Sequence, residues 1–253
     1  MPQAITFDVT GTLIHSPRLA EIYAETLGRH GVEADVDEVA RTIPRVWQEL
    51  DCAADMHHDR FGAHPEGERG WWQRFLARVC EHLGAPPPTP FATAELFARF
   101  ARADAWEVYP DVPETLAELS GLGLALGVVS NWDRRLPALL DALGIGRHLS
   151  AVVYSADVGV EKPHPRIFER ALAALGTEPA EALHVGDSLR QDVEGALAVG
   201  MEALLLVRPE SPAGHRVRET GEGGGDLADL SPLPQLVEVS RAGSPFEMGP
   251  ARR

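Results

Sequence analysis

Four polar side chains of complementary chemistry each follow a short apolar run in the sequence. They are Asp8, Ser130, Lys162 and Asp187. A carboxylate can attack as a nucleophile, and an ammonium group and a hydroxyl can hold the charge that develops in the reaction. A second carboxylate supplies the hard oxygen ligands that Mg²⁺ prefers. Together these residue types match what attack on a phosphoryl group requires, which is a nucleophile, counter-charge and in-line geometry.

The elements around these residues predict how they come together. Short runs with β-branched or aromatic residues predict strands, and apolar residues at three- and four-residue spacing predict helices. The predicted strands are residues 4–7, 124–130, 151–159 (strand and loop), 182–187 and 202–207. Alternation of the later strands with helices is typical of βαβ units. We therefore predict an α/β fold with a doubly wound parallel sheet of Rossmann type, in which ligands bind beyond the carboxyl ends of the strands.

The long segment between the first and second predicted strands has a different pattern. Between about residues 19 and 100, four stretches show helical spacing and are separated by Gly and Pro. We predict an α/β core formed by residues 1–15 and 105–238, with a mostly helical cap formed by residues 16–104. Residues 239–253 carry no periodicity and are predicted to be a flexible tail.

The composition excludes several classes of protein. The 253 residues are 44% hydrophobic and 24% charged, with a formal net charge of −15, which is typical of a globular protein with a strongly negative field. Such a field repels nucleic-acid phosphates and anionic lipids, so we expect no nucleic acid and no membrane as partner. No apolar run approaches the length of a bilayer span, so we expect a soluble, cytoplasmic protein. Cys52 and Cys80 lack the spacing of a zinc site, and nothing in the sequence indicates the oligomeric state.

The basic residues are almost all arginines. Lys162 is the single lysine among the 23 lysines and arginines, and Asn131 is the single asparagine. Because the composition disfavours both types, a lysine that persists indicates a position that requires a compact ammonium group rather than a planar guanidinium. Chance survival is the alternative, and the place of Lys162 after a predicted strand favours the functional interpretation.

Four short motifs occur in order at the ends of the predicted strands. They read DVTGTL from Asp8, VVSN ending at Asn131, EKP around Lys162 and GDSLRQD ending at Asp192. These resemble motifs I to IV of the haloacid dehalogenase-like (HAD) hydrolase superfamily. The helical insertion between the first two motifs resembles the cap of that family's first subfamily, and the resemblance covers about residues 4–238.

The resemblance implies a hydrolase that acts on a small-molecule phosphate ester. Asp8 is then the nucleophile and forms an aspartyl-phosphate, while Lys162 stabilises the charge on Asp8 and on the phosphoryl group. Ser130, together with backbone N–H groups near Thr10 and Gly11, would hold the phosphoryl oxygens.

The resemblance also implies Mg²⁺ as the cofactor. Its ligands would be the side chains of Asp8 and Asp187 and the backbone carbonyl of Thr10, with Asp192 behind them, directly or through water. Asn131 could position the substrate beside them. Taken singly, a residue such as Asn131 or Asp192 is typical of a helix cap or a solvated helix position, so the prediction depends on the joint arrangement.

One position departs from the resemblance. Many phosphatases of the family carry an aspartate two residues after the nucleophile as general acid and base, and here that position is Thr10. A hydroxyl is too weakly acidic for this role near neutral pH, and loss of such a group typically costs about 10²–10⁴-fold in rate. The sequence Asp-x-Thr-Gly-Thr is also similar to the phosphorylation motif of P-type ATPases, in which the phospho-enzyme persists. Our hypothesis is a slow phosphatase whose aspartyl-phosphate on Asp8 accumulates.

Two other functions stay open. In a metal-independent 2-haloacid dehalogenase, Asp8 would attack carbon and displace halide, and such enzymes resemble this chain in lacking the second aspartate. The Gly-Asp-Ser sequence around Asp187 is more typical of a metal site, which favours the phosphatase. The second alternative is a non-catalytic protein of the same fold that binds a phospho-ligand, because Thr10 stands in place of the acid/base residue.

Substrate choice is expected to reside in the cap, because a lid over the strand ends excludes water and supplies outer contacts. The sequence of residues 57–70 predicts an exposed loop, from which Arg60 or Arg69 could reach an anionic substrate, and one of its histidines could supply the missing acid. The tryptophan pair of the cap is more typical of a cap core than of a substrate platform. The candidate side chains in the cap, besides these arginines, are Trp47, His57, His58, His64, Trp71 and Trp72.

Overall fold

A parallel sheet with helices on both faces lies at the centre of the structure. The computed structural model describes residues 1–52, 59–62, 65, 67–209 and 227–241. Within these residues the strands are β1 (Ala4–Phe7), β2 (Ile14–His15), β3 (Glu107–Val108), β4 (Ala125–Ser130), β5 (Ala151–Tyr154), β6 (Ala182–Gly186) and β7 (Glu202–Leu205).

The described helices fall into an inserted group and a group that alternates with the strands. The inserted group is α1 (Leu19–Arg29), α2 (Val36–Cys52), α3 (Gly67–His82) and α4 (Pro90–Arg99). The second group is α5 (Val112–Gly121), α6 (Leu136–Ala142), α7 (Ser155–Val158), α8 (Pro165–Leu175), α9 (Gly195–Ala198) and α10 (Leu233–Arg241), with a π-helical segment, Leu189–Glu194, before α9. None of the helices in the described part of the chain has the length and apolar character that a membrane-spanning helix needs.

The order of the strands determines where ligands can bind. The central sheet runs β5-β4-β1-β6-β7, and its described pairings are parallel. The strand order therefore reverses between β1 and β6, and in a doubly wound sheet the crevice at such a reversal is the ligand site. Phe7 pairs with Val128 on one side and with Val185 on the other, so the residue after Phe7 emerges between the ends of β4 and β6.

The inserted helices leave and rejoin the core through one short antiparallel pair. Ile14 of β2 pairs with Val108 of β3, so the two ends of the insertion lie side by side. Helices α1 to α4 bury a hydrophobic cluster of their own that includes Leu27, Ile43 and Phe75. This arrangement is what an inserted helical layer requires. The predicted limits of the cap, residues 16 and 104, stay a prediction.

The elements confirm the predicted α/β architecture, and one predicted segment is wrong in part. The segment predicted as strand and loop over residues 151–159 is a strand to Tyr154, but it continues as α7 instead of a loop, and Gly159 follows α7 in a left-handed conformation with φ of 82°. The π-helical segment begins after Ser188, whose side chain caps it by accepting a hydrogen bond from the Gln191 backbone N–H.

Candidate active site

Asp8 lies where β1 ends and is held from two neighbouring loops. Its backbone N–H donates to the carbonyl of Val185 at 2.9 Å, which continues the β1–β6 pairing by one residue. Ser130 Oγ donates to Asp8 Oδ1 at 3.0 Å, and Lys162 Nζ donates to the same oxygen at 2.5 Å. Both bonds end on Oδ1, so they fix the rotation of the carboxylate and leave Oδ2 as the oxygen to which neither residue donates.

Lys162 is the cation of this site and is almost completely buried, with 3% of its surface exposed. Its Nζ also donates to Asp192 Oδ1 at 2.6 Å, so the ammonium bridges two carboxylates. Burial alone would lower the pKa of Lys162, but the charges of Asp192 and Asp8 outweigh it and raise that pKa above its ordinary value. The single lysine of the chain therefore stays charged, as its position in the sequence suggested.

Asp192 is held by the backbone and by a buried histidine. The Ser188 N–H donates to Asp192 Oδ2 at 2.9 Å, and His184 Nε2 lies 3.3 Å from Oδ1. The other ring nitrogen of His184 lies 2.8 Å from Thr6 Oγ1, which fixes the ring from behind. The carboxylate packs directly against Gly186, where any Cβ would overlap it, and this explains the glycine before Asp187.

The donor set beside Asp8 fits a hard divalent cation. One carboxylate oxygen from each of Asp8, Asp187 and Asp192 lies within 4.8 Å of the others. Carboxylate oxygens are ligands that Mg²⁺ prefers. Gly11 has a φ of 83°, and a Cβ there would overlap the Asp187 carboxylate, so the loop after β1 can approach Asp187 only because residue 11 is glycine.

Asn131 binds the backbone of Lys162, and its predicted role in positioning substrate stays a prediction. Its Oδ1 accepts from the Lys162 backbone N–H at 2.7 Å, and its Nδ2 donates to the Lys162 carbonyl at 3.2 Å. The side chain thus forms two hydrogen bonds to one residue and positions the loop that carries Lys162. Asn131 also lines the cavity described below.

Thr10 accepts a hydrogen bond from an aromatic side chain that the sequence did not single out. Trp132 Nε1 donates to Thr10 Oγ1 at 3.1 Å, and the Trp132 ring lies 5.3 Å from that of Trp106 between centroids. The hydroxyl at position 10 is therefore used as a hydrogen-bond acceptor for an indole rather than being directed at a proton-transfer partner.

A cavity of about 230 Å³ opens above these loops, between the strand ends and the inserted helices. Thr10, Gly11, Asn131 and Asp187 form part of its lining. Asp8 is 5% exposed and belongs to the layer behind these residues. Aromatic and apolar side chains from both layers form the outer walls, which are Leu19, Tyr23, Trp47, Trp72, Phe100, Trp106, Tyr109 and Trp132.

The exposed loop predicted over residues 57–70 is wrong for the part that the structure describes. Asp59 and Phe61 are buried, and α3 already begins at Gly67. Arg60 donates to both oxygens of Glu161, with Nε to Oε1 at 2.8 Å and Nη2 to Oε2 at 2.5 Å. This buried ion pair ties the insertion to the core one residue before Lys162.

The other predicted cap residues have different fates. Arg60 lines the cavity, but its guanidinium is bound to Glu161, whereas Arg69 is exposed and lies over the Phe97 ring at 5.8 Å. Trp71 belongs to the core of the inserted helices, while Trp72 and Trp47 line the cavity. The three histidines of the prediction, His57, His58 and His64, lie outside the described residues.

Three further cavity residues were missed by the sequence reasoning. His15 stacks on Tyr109 with 4.4 Å between ring centroids, and Arg135 is held by Asp133. The missed residues are His15, Asp133 and Arg135. Asp133 and Arg135 lie in residues 132–135, just after the predicted strand that ends at Ser130, and this position is the signal that could have identified them. His15 follows a two-residue strand that is too short to be predicted from periodicity.

Comparison with known proteins assigns the fold and site to a class. The profile of a family described as haloacid dehalogenase-like hydrolase matches residues 2–200. The chain is 35% identical over 247 residues to haloacid dehalogenase-like hydrolase domain-containing protein 3 from Mus musculus, covering 96% of each chain. It is 32% identical over 215 residues to a glyceraldehyde 3-phosphate phosphatase from Methanopyrus kandleri, covering 82% of this chain and 85% of that one.

Solved structures show the same fold. A HAD phosphatase from Thermococcus onnurineus superposes with a TM-score of 0.62 and 27% identity, covering 94% of this chain and 98% of that one. An L-2-haloacid dehalogenase from Xanthobacter autotrophicus superposes with a TM-score of 0.67 at 22% identity, covering 94% and 99%. The second likeness concerns the fold alone.

The chain belongs to the haloacid dehalogenase-like hydrolase family. It is a hydrolase with an α/β core and an inserted helical layer.

Proposed function

We propose that this protein is a Mg²⁺-dependent phosphatase that hydrolyses a small phosphate monoester through an aspartyl-phosphate on Asp8. The observation that carries the proposal is the arrangement at the end of β1. There the Asp8 carboxylate accepts hydrogen bonds from Ser130 and Lys162 and lies within 4.8 Å, oxygen to oxygen, of two further aspartates. An anionic phosphate approaches three carboxylates only where cations offset their charge, and Lys162 alone does not suffice.

The side chains of the site divide the work of phosphoryl transfer. We assign the attack to Asp8 Oδ2, because Ser130 and Lys162 both hold Oδ1 and orient the carboxylate. Attack forms a bond from this oxygen to phosphorus while the bond to the leaving-group oxygen breaks. Lys162 keeps its positive charge beside the nucleophile throughout, since its raised pKa lies far above neutrality. A water molecule then releases phosphate and regenerates Asp8.

Asp8, Asp187 and the carbonyl of Thr10 would hold Mg²⁺, with Asp192 behind them. When bound, the cation neutralises charge on the phosphoryl oxygens and orients them for in-line displacement. The name of the Methanopyrus kandleri relative, a glyceraldehyde 3-phosphate phosphatase, supports phosphate-ester chemistry on a chain of this kind.

The proposal is tested with p-nitrophenyl phosphate as substrate. We expect turnover in Mg²⁺, none in EDTA, and recovery when Mg²⁺ is restored. Asp8→Asn is expected to reduce turnover to the level of a blank, because an amide oxygen is a poor nucleophile. Asp157→Asn, at an exposed position in α7, is the matched control and should leave the rate unchanged. Rapid-quench labelling should show phosphate bound to Asp8 during turnover.

A haloacid dehalogenase would give the opposite pattern. It would release chloride from 2-chloropropionate in the presence of EDTA and would show no phosphatase activity that depends on both Mg²⁺ and Asp8. A phospho-ligand-binding protein would bind phosphate with Mg²⁺ but turn over neither substrate. Either result would refute the phosphatase proposal.

A further inference from the structure

The cationic groups among the described residues that line the cavity face carboxylates of the protein. Among the described lining residues these groups are Arg60, Arg135 and, when protonated, His15. A substrate with a second anionic group would need a cation free to receive it. The pairing of each of these groups therefore bears directly on which leaving groups the cavity accepts.

Arg60 has two carboxylate partners. Its Nη2 and Nε donate to Glu161, and its Nη1 donates to Asp51 Oδ1 at 2.5 Å. The side chains of Arg60 and Glu161 are 8% and 4% exposed, so solvent screens this pair little. The outer faces of the guanidinium lie 5.7 Å from the ring centroids of Trp47 and Trp71. Carboxylates therefore bind the N–H groups of the Arg60 guanidinium, and aromatic rings lie near its faces.

Arg135 is held in the same way. Its Nε donates to Asp133 Oδ1 at 2.8 Å and its Nη2 to Asp133 Oδ2 at 2.5 Å, which is the bidentate geometry of a strong pair. Its Nη1 donates to the carbonyl of Phe97 at 2.7 Å, and its guanidinium lies 3.8 Å above the Phe97 ring. Trp72 Nε1 donates to the same Asp133 at 2.9 Å, which fixes the carboxylate in place.

His15 also faces an acid. Its Nε2 lies 4.0 Å from a carboxylate oxygen of Glu107, on the strand that pairs with its own. Its ring stacks on Tyr109, which is a contact that an apolar wall makes. Protonation of His15 would therefore add a charge that Glu107 balances before a ligand does.

The outer walls of the cavity are aromatic and apolar, and the carboxylates that pair with the two arginines outnumber them. Arg60 is paired with both Asp51 and Glu161, and Arg135 is paired with Asp133, so the net charge of these groups is negative. A flat ring could stack among Trp72, Trp106 and Trp132. Pairs of aromatic rings contribute binding free energy beyond that from their buried area. A carboxylate or a second phosphate in the same place would meet like charge and an apolar surface.

We propose that the phosphate monoester accepted by this cavity has an aromatic or apolar leaving group without a second negative charge. This inference depends on the phosphatase function proposed above. It assigns the aromatic walls to binding of the leaving group, and the paired arginines to rejection of phosphate esters whose leaving group carries a further negative charge. The charge of the leaving group, rather than its size, then decides whether the cavity accepts the substrate.

The test uses two substrates that differ only in a carboxylate, phenyl phosphate and 4-carboxyphenyl phosphate, with Mg²⁺ and the full chain. We expect kcat/KM to be about tenfold higher for phenyl phosphate, because like charges juxtaposed in a binding site oppose association. The preference should shrink as salt is raised, since the Debye length is about 10 Å at 0.1 M. Ethylphosphonate, which is not hydrolysed, should bind more weakly than phenylphosphonate, because it cannot stack on the aromatic walls.

Two variants test the charge argument directly. Asp51→Asn keeps an oxygen for Arg60 but removes a lining charge, and it should reduce the preference for phenyl phosphate about threefold. Asp133→Asn should act in the same direction on Arg135, and its folding is checked by circular dichroism. Asp157→Asn, exposed in α7, is the control and should leave the preference unchanged.

Binding measured without turnover separates this inference from the phosphatase proposal. Calorimetry with phenylphosphonate and 4-carboxyphenylphosphonate, which cannot be hydrolysed, should show the same order of affinity. If neither ester is hydrolysed but the phosphonates keep this order, the phosphatase proposal fails and the description of the cavity holds. Equal affinities, or tighter binding of the carboxylated compound, would overturn the inference whatever the activity.

Discussion

At the scale of the residue, Thr10 is the position that most affects the expected rate. Its hydroxyl accepts a hydrogen bond from Trp132 Nε1 and lies at the edge of the cavity. A carboxylate at this position could accept the same bond and, in addition, exchange a proton with the leaving group. On the proposed phosphatase function, position 10 therefore lacks a group that can donate a proton to the leaving group.

Thr10→Asp is expected to increase the rate of hydrolysis of phenyl phosphate by at least about 10²-fold, because general acid–base catalysis contributes about 10²–10⁴-fold. The measurement is steady-state kcat at several pH values, where activity should now fall as the pH rises through the pKa of the introduced carboxyl, because the proton donor must be protonated to act. Thr10→Asn is the matched control, since an amide can accept the indole bond but cannot transfer a proton. Equal rates in both variants would show that another group already performs the proton transfer.

At the scale of the element, the contact between the inserted helical layer and the core depends on a few long-range polar pairs. The Arg60–Glu161 pair joins a segment that follows α2 to the loop after α7, and Trp72 of α3 donates to Asp133 before α6. Each pair lies beside a residue of the site or of the cavity. Movement of the inserted layer would therefore change the surroundings of Lys162.

The Arg60–Glu161 pair predicts an asymmetric effect on stability. Arg60→Met should lower the free energy of unfolding by about 3–5 kcal/mol, because it leaves buried charge uncompensated. Burial raises the pKa of the nearby Asp59, Glu161 raises it further and Arg60 lowers it, so loss of Arg60 removes a favourable partner from both acids. Glu161→Gln should cost only about 1–2 kcal/mol, since Arg60 keeps Asp51 and an amide oxygen still accepts.

The measurement is urea unfolding followed by tryptophan fluorescence. Arg69→Met is the matched control, because this arginine of α3 is exposed and its substitution should change stability little. A larger loss in Glu161→Gln than in Arg60→Met would contradict the interpretation of Arg60 as the centre of the pair.

At the scale of the whole molecule, stability at alkaline pH should report on Lys162. Its pKa is raised in the folded protein above the ordinary value of 10.5, by Asp192 and Asp8 against the effect of burial. The stabilisation from its charge is therefore fully present below about pH 10.4, the unfolded value, and is lost as the pH rises through the folded pKa. The free energy of unfolding of the wild type should therefore decrease as the pH rises through that range.

Lys162→Met serves as the comparison for this prediction. It should be less stable than the wild type at pH 7 by about 3–5 kcal/mol, because Asp8 and Asp192 are left without their cation. The difference between the two proteins should narrow as the pH rises from 10.5 through the raised pKa of folded Lys162, where the stabilisation from the charge is progressively lost. A difference that stays constant up to pH 12 would show that Lys162 stabilises the fold by packing rather than by charge.

Local patterns in the sequence account for much of this structure. The apolar runs before Asp8, Ser130 and Asp187 are buried strands of one parallel sheet, so these three side chains meet at its carboxyl edge. The helical spacing of the insertion likewise predicted α1 to α4. Such features follow from short-range periodicity, which a single sequence displays directly.

The roles of individual polar residues were harder to predict. Asn131 is a helix-cap type by composition, and its two hydrogen bonds to Lys162 join residues 31 positions apart. The expected exposure of Arg60 was wrong because its partner, Glu161, is 101 positions away. Burial of a charged residue depends on a partner, and nothing in the local sequence names that partner.

The sequence by itself determined the α/β class, the strand ends that carry Asp8, Ser130 and Asp187, and the family of hydrolases to which the chain belongs. Only the tertiary structure decided that Trp132 donates a hydrogen bond to Thr10 and that Arg60 and Arg135 are paired with carboxylates of the protein. The physical reason is range. Strand and helix patterns are set by neighbours in the chain, whereas the charge and shape of a cavity are set by side chains that meet across two layers of structure.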